Sequence, residues 1–216
     1  PDLRIGSKLT VSGSGNEMIL TVVKVEETHS EEKNEDEGKS GETPKAELES
    51  KPNTLDSAKV FENTLGMKFV SVPGTEVQFC IWETRVKDYA AYAAASMGVD
   101  GSWKKPFEDE FKQPDTHPVV RVSWDDAQAF CAWLTKKELA EGKIKAGQKY
   151  RLPTDAEWSV AVGLGQEKGN TPKEKKAGIK GVYPWGKEWP PPKGAGNYYN
   201  SLKVDNFEYT APVGSF

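Results

Sequence analysis

The 216 residues carry 33 acidic against 29 basic side chains, a formal net charge of −4 with a sequence pI near 5.4, which offers nothing for a polyanion such as nucleic acid. Hydrophobic residues make up 36% and charged residues 29%, and the mean hydropathy of −0.67 is a polar average that a charged insert pulls down. No apolar run approaches the roughly 20 residues needed to cross a bilayer, so no membrane span is expected, and the first residues, PDLRIGSKLT, lack the apolar core of a signal peptide.

The length accommodates one good-sized domain plus extra material. Because the chain opens at Pro1 and stops at APVGSF, it reads as a piece of a longer, soluble protein, with export or a periplasmic location left open. Cys80 and Cys131 are its only cysteines, and His29 and His117 its only histidines, which excludes a four-ligand Cys/His zinc site within the chain. One pair of cysteines does not establish a disulfide, and two buried free thiols are the simpler reading.

Residues 3 to 25 alternate apolar and polar positions around SGSGN and predict a hairpin. Two strands are rarely stable alone, so residues 1–25 read as the end of a preceding domain. From Glu26 to Ser57 the chain is acidic and almost without large apolar side chains, the composition of a disordered linker rather than of a calcium-binding tract. Residues 58–216 then form a partial domain. Strands are predicted at Met67 to Val72 and Val77 to Trp82, joined by Pro73-Gly74.

Thr84 is positioned to cap a helix from Arg85 to about Met97, with Val86, Tyr89, Ala90 and Ala93 on its inner face and Gly98 closing it. The next stretch is loop, pinned by Trp103, Phe107 and Phe111. Ser123 and Asp126 then form a capping pair for a helix to about Leu139, whose stripe is Ala127, Phe130, Cys131 and Leu134. Tyr150-Arg151-Leu152 is extended because Pro153 disfavours the helical region before it. Thr154 and Glu157 form a capping box for a third helix from Asp155, with Ala156, Val160 and Leu164 facing inward and Trp158 covering a neighbour. The remainder is irregular and rich in Gly, Pro, Asn and Tyr, and long ordered loops carry function or need pinning.

The segments NTLGMKFVSVPG, FCIWETRVKDYAAYA, HPVVRVSWDDAQAFCAWL, YRLPTDAEW, YPWG, GNYYN and TAPVGSF, in this order, resemble the formylglycine-generating enzyme, or sulfatase-modifying factor, family from Asn63 to Phe216. The resemblance implies an α+β fold of the C-type-lectin-like class, in the family's own variant: about three helices, small sheets, and long loops held by tryptophans and calcium. It also implies that YRLPTDAEW is a structural corner, with Arg151 and Glu157 tied into hydrogen bonds and Trp158 in the core.

Enzymes of this family oxidise a sulfatase cysteine to formylglycine with oxygen and copper, the metal held by a cysteine pair; soft thiolates suit Cu(I). The family places that pair after Gly-Asn-x-Trp-Glu-Trp and Arg-Gly-Gly-Ser type segments, and neither occurs here, so no catalytic residue is assigned in this chain. Cys80, in VQFCIW, and Cys131, on a helical stripe, read as core residues. The resemblance places Cys131 where some secreted members carry a structural cysteine paired further downstream. It also implies a calcium site of Asn197 (side chain), Tyr198 (main-chain oxygen), Asp205 (side chain) and Phe207 (main-chain oxygen), all hard oxygen donors. The residues by themselves read equally as turn formers. Trp82, Trp124, Trp133, Trp185 and Trp189 are assigned to packing rather than to a ligand groove, with Trp189, before PPP, the one to check for exposure. Two functions follow: a sulfatase-modifying oxidase, with a sulfatase polypeptide as partner, or a non-catalytic module that binds a protein or other ligand.

Overall fold

The computed structural model describes the backbone of residues 23–26, and residues 60–106, 111–165, 167–171, 173–175, 181, 183 and 185–216. Five strands, β1 (Val23–Glu26), β2 (Phe61–Glu62), β3 (Lys68–Ser71), β4 (Val77–Cys80) and β5 (Gln148–Arg151), form one antiparallel sheet in the order β2-β3-β4-β1-β5. The helices are α1 (Val86–Ala95), α2 (Trp124–Ala140) and α3 (Asp155–Ala161), with 3-10 turns at Ser102–Lys104 and Asn200–Leu202 and a further helical turn at 173–175.

The expectation that residues 1–25 end a preceding domain falls mostly outside the described residues, as does the linker from residue 27 onward. Where the structure does describe this region, β1 lies inside the sheet, with Val23 opposite both Phe79 of β4 and Arg151 of β5. A strand paired on both edges satisfies its main-chain groups along both sides.

The sheet is covered on two faces. Met67, Phe69 and Tyr150 pack with Tyr89 and Tyr92 of α1 and with Phe130 and Leu134 of α2. The Tyr89 and Phe130 rings stack at 5.8 Å, and Trp103 meets Tyr89 edge-on at 5.5 Å. Val72, Val77 and Phe79 form a smaller cluster with Ala161, against which Trp158 and Val160 of α3 pack. The alternation of β4 sends Val77 and Phe79 to one cluster and Cys80 to the other. Trp103 supplies core as expected, whereas Trp124 and Trp189 are 54% and 59% exposed. Phe107 lies outside the described residues.

The capping pairs before α2 and α3 form as the sequence predicts: Ser123 with Asp126, and Thr154 with Glu157. Thr84 does not cap α1. It is fully buried, and the Asp88 carboxylate instead reaches back to the Arg85 N–H at 3.0 Å. Arg85 completes a buried pair, its Nε 2.8 Å from the same Asp88 oxygen and its Nη2 donating to the Leu65 and Gly66 carbonyls. On α3 the inward face also differs from expectation. The helix stops at Ala161, before Gly163 at a φ of 84°, so Leu164 lies beyond it and is exposed, Ala156 is exposed, and Ser159 and Ala161 are buried in their place. Arg151 forms two hydrogen bonds to Glu157, at 2.6 and 2.7 Å, holding the YRLPTDAEW corner as expected. That bond keeps the Glu157 carboxyl below its usual range and the Arg151 guanidinium above its own.

Glu138 is fully buried on α2. Its Oε1 accepts from the Thr64 N–H at 2.7 Å and the Thr64 hydroxyl at 2.6 Å, and its Oε2 accepts from the Tyr150 hydroxyl at 2.7 Å. Burial, and then this bond to Glu138, push the Tyr150 phenol well above its ordinary value. One carboxylate thus ties α2 to the β2–β3 turn and to β5. We predict that Glu138→Ala, which leaves three donors without an acceptor, lowers the free energy of unfolding in urea by about 3 kcal/mol. A loss under about 0.5 kcal/mol would show that this network does not hold the sheet to the helix.

Candidate metal site

The four residues implied as calcium ligands come together in one loop. Gly194 N–H donates to the Val204 carbonyl at 3.0 Å and closes it. Within it, Asp205 accepts from the Tyr198 N–H at 2.7 Å on one oxygen and from the Phe207 N–H at 2.8 Å on the other. Those bonds fix the carboxylate against the two residues whose main-chain oxygens the resemblance names. Lys203 adopts a left-handed φ of 53° to make the turn, and a Cβ on Gly196 would lie 2.9 Å from the Tyr198 ring. The loop is therefore specified by more than its two polar side chains.

Calcium fits this donor set on two grounds. Asn197 is buried, and its Nδ2 donates to the Tyr209 carbonyl at 2.6 Å, which leaves Oδ1, an acceptor only, as the group available to an ion. Each oxygen of Asp205 receives one N–H and keeps further acceptor capacity. A cavity of about 330 Å³ adjoins, lined by Asp205, Phe207, Phe216, Lys193 and Lys203. No group of three or more His, Cys, Asp or Glu side chains able to hold a metal occurs among the described residues, and the implied ligand set contributes a single carboxylate, that of Asp205. Few ligand charges mean weak calcium binding, on the order of 10⁻⁴ M or weaker.

The chain's cysteines do not fit copper. Cys80 sits in β4 and Cys131 in α2, both buried and free, and burial pushes each thiol up to about 12. A metal of this type needs thiolates, and these groups stay protonated at neutral pH. We predict that a thiol reagent such as DTNB labels neither cysteine in the native protein at about pH 8 and labels both in denaturant. Fast labelling of one under native conditions would contradict its burial.

A second concavity, about 660 Å³, runs between α2 and β5, from the exposed Trp124 to the exposed Leu139, with Cys131, Leu152 and Pro153 in its wall. The Thr135 hydroxyl accepts the Tyr150 N–H at 2.9 Å along it, so the helix covers part of the sheet edge. The sequence reading missed this groove. It also missed Glu138, although the stripe through Ala127, Cys131 and Leu134 continues to position 138 and so predicted an inward carboxylate.

With the geometry in place, the comparisons with known proteins identify the class. The family model of the sulfatase-modifying factor enzyme 1-like domain matches residues 12–216, and the chain belongs to this family. The match begins upstream of β1, further toward the N-terminus than the motifs from Asn63 indicated. The inactive C-alpha-formylglycine-generating enzyme 2 of Bos taurus is 30% identical over 202 residues, covering 83% of this chain and 58% of that protein. The formylglycine-generating enzyme of Mus musculus is 27% identical over 148 residues, 62% of this chain and 32% of that enzyme. The enzyme of the same name from Thermomonospora curvata is 32% identical over 124 residues, 53% of this chain and 32% of that protein. The chain thus matches less than two thirds of the length of each of these relatives. No solved structure gives a significant match.

Proposed function

We propose that this chain is the calcium-stabilised scaffold portion of a formylglycine-generating-enzyme-like domain of the C-type-lectin-like class. The observation that carries the reading is Asp205, whose two oxygens are oriented by the Tyr198 and Phe207 amides within the one loop that also holds Asn197. The ion would be held by the Asn197 side chain, the Tyr198 main-chain oxygen, the Asp205 carboxylate and the Phe207 main-chain oxygen. Bound there, it would supply charge that pins an otherwise irregular C-terminal segment.

In the whole protein, we propose that this scaffold presents a sulfatase polypeptide to copper chemistry carried by residues outside this chain. The two buried, protonated cysteines within it take no part. The relative named as an inactive enzyme supports a second reading, in which the same scaffold binds a protein or another ligand without oxidising it. Both readings predict no oxygen uptake by this chain with copper and a sulfatase peptide.

A calcium titration followed by thermal melting tests the scaffold. About 5 mM calcium should stabilise the chain by about 2 kcal/mol relative to excess chelator, since a ligand at some fifty times its dissociation constant raises native stability by that amount. Asp205→Asn should fold yet lose most of that shift. Equal melting temperatures in calcium and chelator would sink the proposal.

A further inference from the structure

The C-terminal segment that supplies part of the calcium loop is stitched to the loop before α2. Val213 N–H donates to the Thr116 carbonyl at 3.0 Å, and the Tyr209 and Phe111 rings lie 4.6 Å apart. Between these points sit three buried polar residues, Gln113, His117 and Thr210. Gln113 Nε2 donates to the Pro118 carbonyl and, at 3.2 Å, to the Thr210 hydroxyl oxygen. His117 Nδ1 lies 2.8 Å from the same oxygen. Val86 N–H in turn donates to the His117 carbonyl at 2.9 Å, so the histidine's own main chain is anchored at the start of α1.

We infer that this trio is a clamp that positions the calcium loop, and that protonation of His117 loosens the loop's hold on the ion. The inference rests on the calcium reading above. A hydroxyl oxygen that accepts from Gln113 still has its own proton to place, and His117 Nδ1 is the acceptor within reach. The network thereby assigns the imidazole proton to Nε2. An imidazolium carries protons on both nitrogens, so Nδ1 stops accepting and the Thr210 hydroxyl loses its partner. Thr210 follows Tyr209, whose carbonyl holds Asn197 Nδ2 at 2.6 Å and so leaves Asn197 Oδ1 as the group available to an ion. Gln113 and His117 are thus positioning residues that act on the ligand set through Thr210 and Tyr209.

The electrostatics run in the same direction. Burial lowers the His117 imidazole from its ordinary value, with the Thr210 main chain partly opposing. Among the described residues no charged neighbour contributes, neither the mutually paired Arg85 and Asp88 at the start of α1, nor Lys112 and Asp115 of its own loop, nor Glu208 of the C-terminal segment. A histidine held neutral in the fold contributes stability that is fully present above its ordinary pKa and is lost as pH falls through the lowered value. Linkage is reciprocal, so an ion that favours the closed clamp must lower the histidine's pKa further.

Isothermal titration of the full chain with calcium chloride, at about pH 7.5 and about pH 5.5, tests this in a window where carboxylates of ordinary pKa stay ionised. The dissociation constant should rise by about threefold at the lower pH, one pKa unit of coupling giving its full tenfold only at a pH below both the free and the ion-bound values. His117→Gln, which keeps a neutral acceptor, should bind as wild type at the higher pH and lose the pH response. Thr210→Val should bind more weakly at the higher pH and respond little to pH. Wild-type protein gives an independent reading without any variant: the His117 imidazole, followed by NMR, should titrate at lower pH with calcium than without. Calcium binding that ignores pH, or an undiminished pH response in His117→Gln, overturns the clamp while leaving the calcium site standing. No calcium binding at either pH overturns the site and the clamp together.

Discussion

The bond set around Glu138 is the constraint on which the rest of the structure depends. A carboxylate in a fully buried position is tolerated only when its acceptor capacity is met, and here the donors come from two distant parts of the chain, Thr64 and Tyr150. Because α2 carries the carboxylate, the position of that helix decides where the β2–β3 turn and β5 can sit. Asn63 adds to the same turn, its Oδ1 accepting from the Leu65 and Met67 amides at 2.9 Å each. A polar knot inside an apolar core specifies one arrangement, since any slip of α2 would leave donors and acceptor unpaired.

From that knot the molecule extends in two directions. Toward the sheet, β5 is held on one edge by β1 and on the other by the Thr135 hydroxyl, and the Arg151–Glu157 bonds then turn the chain into α3. Toward the C-terminus, order depends on small polar contacts rather than on regular structure. The loop from Gly194 to Phe207 is shaped by one carboxylate, one buried amide and a glycine, and the segment after it is stitched to residues 111–118. An irregular region of this kind has little apolar burial of its own, so its small polar contacts decide its order more than they would on a helix.

The corner YRLPTDAEW was legible because all its determinants are local. Proline restricts the residue before it, a threonine hydroxyl reaches three residues along, and Arg151 and Glu157 are close in sequence. The proposed calcium site was suggested only by the resemblance, because Asn and Asp in a glycine-rich stretch also serve as ordinary turn residues; the geometry adds the two amides that orient Asp205. Thr84 shows the limit of local reading. It is a good capping residue at the expected position, yet the buried Arg85–Asp88 pair took over the helix start once tertiary packing enclosed it.

Sequence by itself determined the helices α2 and α3 with their caps, the strands β3 and β4 and the turn between them, the burial of both cysteines and the family to which the chain belongs. Each of these depends on periodicity, on residues within a few positions of one another, or on the order of motifs along the chain. Only the tertiary structure decided that Val23–Glu26 pairs between β4 and β5, that Glu138 closes a network with Thr64 and Tyr150, and that Thr210 joins Gln113 and His117. All of those partners but Tyr150, which lies 12 residues from Glu138, are separated by tens of residues, and no local preference encodes which of many compatible donors and acceptors will meet. Their pairing is set when the apolar core closes and any polar group left inside must find a partner.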